Sequence, residues 1–221
     1  MKVGIVSYSQ APKGMEVQSA LDLVAFCARV SNPGNQHNKE TNEKLVKYLM
    51  KHKHWSPLEM VSLCLEIETT RDIARQMLRH RSFSFQEFSQ RYADPKDQGS
   101  LFEYSEARLQ DTSNRQNSIK TNDVKLNLAW LHAQQRVTHA SQKEYKWAIK
   151  NGIAKEQARK VLPEGLTVSK LYMNGTLRSW VHYIELRGAN GTQQEHMDIA
   201  HACAKVIAKI FPLSDEAISN G

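Results

Sequence analysis

The sequence predicts an α+β fold in a single domain over residues 1–221, a mixed sheet flanked by long helices, and three observations lead there. "VSLCLEIETT" alternates with period two, setting Val61, Leu63, Leu65 and Ile67 on one face and Ser62, Cys64, Glu66 and Glu68 on the other, the pattern of a half-buried strand. Apolar residues recur at helical spacing through Val124 to Lys150 and again from about Gln193 to Phe211. No repeat, low-complexity tract or linker divides the chain, and 40% hydrophobic with 24% charged residues is the composition of an ordinary packed globular protein.

Taken in order, "KVGIVSYS" alternates as a strand, and "MEVQSALDLVAFCARVS" carries Val17, Leu21, Val24, Ala25 and Ala28 at helical spacing until "SNPGNQ" breaks it. "NEKLVKYLMKHKH" is a second amphipathic helix whose basic last turn suits the helix dipole. Pro57 in "WSPLEM" holds His54 to Glu59 in a fixed loop or a short helical start. Thr70 is placed to cap "RDIARQMLRHR", in which Ile73, Ala74, Met77 and Leu78 form an apolar stripe and Arg71, Arg75 and Arg79 recur every four residues. "FQEFSQRYA" returns to strand-like alternation.

Residues 94–122 lack a sustained period and read as a long surface loop, a kind of segment that often carries function in compact domains. Helices over Val124 to Lys150 and Ile153 to Leu162 part at Asn151-Gly152. "TVSKLYM" is a strand, Asn174-Gly175 a turn, and "TLRSWVHYIELR" a helix with Leu177, Trp180, Val181, Ile184 and Leu186 mostly on one side. The last helix directs Ile199, Ala202, Val206 and Ile210 inward and stops before Pro212.

No apolar run reaches the roughly 20 residues of a membrane span, and "MKVGIVSYSQ" turns polar too soon for a signal peptide, so the expected compartment is the cytoplasm. Cys27, Cys64 and Cys203 lie in apolar periodic segments without C-x-x-C spacing, as buried reduced thiols do. A formal charge of +7 calls for an anionic partner, polymeric or small.

The chemistry concentrates in "RHRSFSFQEFSQRY". Arginine presents a planar fork of donors that stays charged at neutral pH, so Arg79, Arg81 and Arg91 make a lasting anion cradle. Ser89 adds a hydroxyl and Glu87 an acceptor for a sugar hydroxyl, a set that fits a phosphorylated sugar. The plainer alternative is a solvated face of arginines paired to local acids such as Asp72. His80, between two arginines, is held partly neutral and suits hydrogen bonding better than acid–base work. His52 and His54 lack a third ligand at metal spacing, and no metal site is expected. Neither a G-x-G-x-x-G nor a P-loop motif is present, so phosphate must be held by side chains.

An R-H-R triplet, seven residues, then serine, one residue and arginine resemble the signature of flavin-dependent thymidylate synthases, matched by Arg79, His80, Arg81, Ser89 and Arg91. "HKHWSPLEM" is similar to that family's histidine-to-glutamate loop through His54, Ser56 and Glu59. "ARKVLP" supplies Arg159, "TLRSWVHYIELR" supplies Arg178, His182 and Arg187, and "TQQEH" resembles the closing glutamine–glutamate segment. The likeness runs from about Ala25 to Ile210.

The resemblance implies the family's fold and the reductive methylation of dUMP to dTMP. Methylenetetrahydrofolate would give the carbon, NADPH would reduce a bound FAD, and a homotetramer would build its active sites from more than one subunit. It puts Gln76, Arg79, Glu87, Phe88, Ser89, Gln90, Arg91, Arg159 and Arg187 on dUMP-binding positions. His54, Ser56, Glu59, Arg79, His80, Arg81, Ser82, Glu87, Thr176, Arg178 and His182 fall on FAD-binding ones. Arg187 is the catalytic candidate: a fixed positive charge against the uracil ring stabilises negative charge developing on it. Gln86, Thr176 and Gly191 depart from the family's usual residues around the flavin.

None of the cysteines has a cation beside it to lower its pKa, so a thymidylate synthase with a cysteine nucleophile does not fit. The competing reading is a nucleic-acid module with arginines on backbone phosphates and Phe83, Phe85, Phe88 and Tyr92 stacking on bases. Against it, the arginines gather at one strand–helix junction beside Gln76 and Glu87, which suits a discrete ligand. The expected partners are therefore dUMP and further copies of the chain, with neither nucleic acid nor membrane.

Overall fold

The computed structural model describes residues 1–94 and 99–212. In chain order its elements are β1 (Lys2–Tyr8), α1 (Ala20–Ala28), α2 (Asn42–Lys51), β2 (Ser62–Thr70), α3 (Arg71–Met77), β3 (Ser84–Glu87), β4 (Arg108–Gln110), β5 (Ser118–Lys120), α4 (Val124–Lys150), α5 (Lys155–Ala158), β6 (Val168–Thr176), α6 (Leu177–Gly188) and α7 (Gln194–Ile207). Short 3-10 turns include Ser56–Met60 and Arg159–Val161.

The fold is α+β, as expected, with a central four-stranded sheet in the order β1-β2-β6-β3. Every pairing in it is antiparallel rather than mixed: β6, arriving after α4, enters between β2 and β3 and runs against both. Pairing direction is a tertiary property that alternation within one strand does not carry.

The β2–β6 register stacks Leu63 on Gly175, Leu65 on Met173, Ile67 on Leu171 and Thr69 on Ser169, all on the buried face. Against it pack α3 through Ile73, Ala74 and Met77, α6 through Leu177, Trp180 and Val181, and α7 through Ile199, Cys203 and Ile207. The Trp180 indole N–H donates to the Leu63 carbonyl at 3.2 Å, which satisfies its one polar atom inside the core.

Asn174-Gly175 is not a turn, because β6 runs through both residues to Thr176. The glycine serves close packing instead: a Cβ there would lie 2.5 Å from the Phe83 ring. Helix α1 begins only at Ala20, since the Ser19 hydroxyl accepts the Asp22 N–H as N-cap, and Val17 falls outside it. Thr70 precedes α3 in extended conformation but donates its hydroxyl to Asp72 at 2.5 Å rather than accepting a backbone N–H. Leu186 is 59% exposed, and the buried stripe of α7 is Ile199, Ala200, Cys203, Ala204 and Ile207, one step round from the expected one.

The expected loop over 94–122 contains the β4–β5 hairpin, and its residues 95–98 lie outside the described set. Asp111 nucleates the hairpin turn by accepting from the Ser113 hydroxyl and the Ser113 and Asn114 N–H groups, which lower its pKa to about 2. Helix α4 has 27 residues, about 40 Å of length at 1.5 Å per residue. It buries Tyr145 and Ala148 against Ala158 but leaves Leu128, Val137 and Trp147 half-exposed or more. Among the described residues no helix is long and apolar enough to cross a membrane.

Candidate active site

After α3 ends, the chain turns through Arg79, His80 and Arg81, with the His80 N–H closing on the Met77 carbonyl at 3.0 Å. His80 packs edge-on against Tyr183, and its Nε2 accepts from Nε of Arg187, in the last turn of α6, at 2.9 Å. Burial, then the charges of Arg187 and Arg79, lower the His80 pKa to about 4, so the ring is neutral and an acceptor. The expected neutrality holds, but burial leads it and Arg187 takes the part given to Arg81. Arg79 and Arg81 are exposed and their side chains make no hydrogen bond or ion pair with the described residues, leaving their forks open to an anion.

Behind this turn is a polar chain that sequence reading missed. His196 is fully buried, with Nε2 on the Tyr183 hydroxyl at 3.1 Å and Nδ1 on Gln76 Oε1 at 3.3 Å. Gln76 Nε2 donates to Gln193 Oε1 at 2.7 Å, and Gln193 Nε2 donates to Glu195 Oε2 at 3.1 Å. Burial first, then Arg187 and His80, bring the His196 pKa to about 3. The available signal was spacing: His196 stands three residues before Ile199 and seven before Cys203, on the apolar stripe of α7.

A second group surrounds the start of α6. Thr176 caps that helix by accepting the Ser179 N–H at 3.3 Å, so its departure from the family pattern keeps a capping residue. Arg178 forms an ion pair with Glu59, and His182 meets Trp55 edge-on at 4.6 Å. Ser179 donates to the Ser82 carbonyl at 3.3 Å. His54 and Ser56 are exposed on the loop and 3-10 turn leading to Glu59.

Glu87 is already engaged. Its oxygens accept from Arg75 at 3.1 Å, Arg71 at 3.5 Å and the Ser169 hydroxyl at 2.8 Å, while Glu164 bridges the same two arginines. The Arg71, Arg75, Arg79 run therefore divides: two members pair with Glu87 and Glu164 rather than Asp72, and Arg79 stays open. Beyond β3, Ser89 and Arg91 turn toward α5, where Arg91 reaches Glu156 at 3.6 Å, three residues before Arg159. Gln90 is 3% exposed and its side-chain N–H₂ has no partner among the described residues, a buried donor that a ligand or a neighbouring chain would satisfy.

Phe88 is half-buried and its N–H donates to the Lys170 carbonyl at 2.8 Å. Phe83 is in the core and Phe85 packs on it, so these rings are not a free stacking platform for bases. Burial raises the pKa of Cys27, Cys64 and Cys203, leaving no activated thiol among them.

Known proteins resemble this chain in sequence and fold. A family model described as thymidylate synthase complementing protein matches residues 15–213. A probable flavin-dependent thymidylate synthase of Paramecium bursaria Chlorella virus 1 is 48% identical over 202 residues, covering 91% of this chain and 92% of its own. A flavin-dependent thymidylate synthase of Synechocystis is 47% identical over 190 residues, covering 86% and 85%. Among solved structures, a UMP/dUMP methylase from Streptomyces cacaoi bound with 5-Br dUMP superposes with a TM-score of 0.79 at 28% identity, over 99% of this chain and 94% of that one.

The fold thus falls in a class that includes pyrimidine-nucleotide methylases. The chain belongs to the thymidylate synthase complementing protein family, the flavin-dependent thymidylate synthases, and is an enzyme of that family.

Proposed function

We propose that the protein methylates dUMP to dTMP reductively, with methylenetetrahydrofolate as carbon donor and NADPH as reductant, through bound FAD. The observation that carries the reading is the Arg187–His80 hydrogen bond, which joins a residue of the dUMP set to one of the FAD set at 2.9 Å. The donor chemistry fits the flavin: open guanidinium forks at Arg79 and Arg81 for a diphosphate, with Arg178, His182, His54, Ser56, Glu59, Ser82 and Thr176 along the neighbouring turns. FAD, reduced by NADPH, supplies the hydride when bound.

The chain's own residues prepare the pyrimidine. Arg187 keeps a fixed positive charge beside the ring and stabilises negative charge developing on its imide, which makes the adjacent ring carbon more nucleophilic. His80 accepts from Nε and so aims the remaining Arg187 donors. Ser89, Gln90, Arg91 and Arg159 hold the phosphorylated end, Phe88 lies beside them, and Gln76 and Arg79 face the nucleotide from α3 and the turn after it. Glu87, held by Arg71 and Arg75, anchors the wall between the dUMP and FAD positions.

The active enzyme is a homotetramer with shared sites. Two features support this: the exposed apolar side chains of α4 at Leu128, Val137 and Trp147, and the Gln90 N–H₂ left without a partner among the described residues. The test is spectroscopic. FAD-treated, desalted protein should retain a flavin band that NADPH bleaches faster with dUMP present, whereas a protein that keeps no flavin loses the reading.

A further inference from the structure

The hydrogen bonds from Tyr183 to Glu195 run in one direction, and we propose that Glu195 and His196 are positioning residues that lock the Gln76 amide to select uracil over cytosine. The inference rests on the dUMP reading above and adds a determinant of its specificity.

The direction is set from both ends. Glu195 is a carboxylate: burial alone would raise its pKa, but the hydrogen bond and charge of Arg108, a backbone hydrogen bond and the Gln193 amide together outweigh this and the pKa is lowered. An ionised carboxylate only accepts, so Gln193 must turn its N–H₂ toward Glu195 and its Oε1 toward Gln76. Gln76 must then give an N–H to Gln193 and present Oε1 to His196. A neutral imidazole facing that oxygen carries its proton on Nδ1, so Nε2 accepts from Tyr183. Burial raises the Tyr183 pKa well above the ordinary value, and its hydroxyl keeps the proton it donates.

Each link therefore permits only one orientation of the next. Reversing the Gln76 amide would set two donors face to face at His196 and two acceptors face to face at Gln193, or push an amide oxygen against the Glu195 carboxylate.

Gln76 keeps one N–H and one oxygen lone pair for a ligand, in fixed places. His196, which Gln76 touches, also lies near enough to Arg187 for that charge to depress its pKa, so the free amide groups and the ring-side arginine share one corner. A uracil ring offers an N3–H donor beside a carbonyl acceptor, which a locked amide matches. Cytosine in the same pose offers an N3 acceptor beside an amino donor and matches neither group.

The test is calorimetric titration of the FAD-loaded full chain with dUMP and with dCMP. Glu195→Gln gives Gln193 a partner that can both donate and accept, and the E195Q/Y183F double substitution also frees the His196 tautomer. The preference of the wild-type protein for dUMP over dCMP should fall about tenfold in E195Q and further in the double variant, as expected when one mispaired hydrogen bond is relieved. A merely structural role weakens both nucleotides alike and leaves the ratio unchanged; that result overturns the inference while dUMP binding by the wild type upholds the reading beneath it. A wild-type protein that binds neither nucleotide overturns both.

Discussion

Arg187 and His80 are joined by a single hydrogen bond, Nε–H to Nε2 at 2.9 Å, across two elements far apart in sequence. The bond requires the imidazole to be neutral, because a protonated ring has no lone pair to offer. Burial, then the charges of Arg187 and Arg79, supply that neutrality. The charge of the arginine and the neutrality of the histidine are thus one arrangement.

Arg187→Ala should therefore reduce dTMP formation about 100-fold or more, the usual cost of losing one preorganised charge or donor at a reacting centre. Arg187→Lys restores charge but lacks the Nε–H that engages His80, and should recover only part of the rate. Steady-state kinetics with saturating cofactors, alongside retained flavin absorbance, check this.

Acid should destabilise the fold in a window set by the histidines. His80 and His196 have pKa values of about 4 and about 3 against an ordinary 6.5, so below 6.5 the unfolded chain binds more protons than the folded one. Their contribution is constant above about pH 6.5 and falls as pH drops toward 4. Melting curves at fixed ionic strength should show the fall, with a smaller slope between pH 6.5 and 5 in His196→Asn.

Gly175→Ala should cost about 1–3 kcal/mol, because the added Cβ would lie 2.5 Å from the Phe83 ring in a close-packed core. Urea denaturation measures it, and Phe83→Leu in the same chain should return part of the loss.

Thiol chemistry should be dispensable. With Cys203 fully buried and all three thiols raised in pKa, iodoacetamide at neutral pH should modify the native protein slowly and leave dTMP formation intact.

Much of the arrangement was legible in the sequence because it rests on local period and rigid chemistry. The alternation of Leu63, Leu65 and Ile67 named β2 and its buried face, and the R-H-R triplet pointed to the turn after α3, where the side chains of Arg79 and Arg81 are exposed. Long-range pairing was not legible. Nothing near Gly175 announces that Phe83 will lie against it, and Asn-Gly carries the same letters in a turn as in a strand. Glu87 read as a free acceptor because its partners, Arg71 and Ser169, lie 16 and 82 residues away. His196 hid for a related reason: a histidine on an apolar stripe is informative only once Tyr183 and Gln76 are known to meet it.

Methylation is measured most directly as product formation from dUMP in the presence of FAD, NADPH and methylenetetrahydrofolate. The proposed reaction yields dTMP in amounts that depend on every one of these components. Flavin that is bound and reduced while dUMP is recovered unchanged would contradict it.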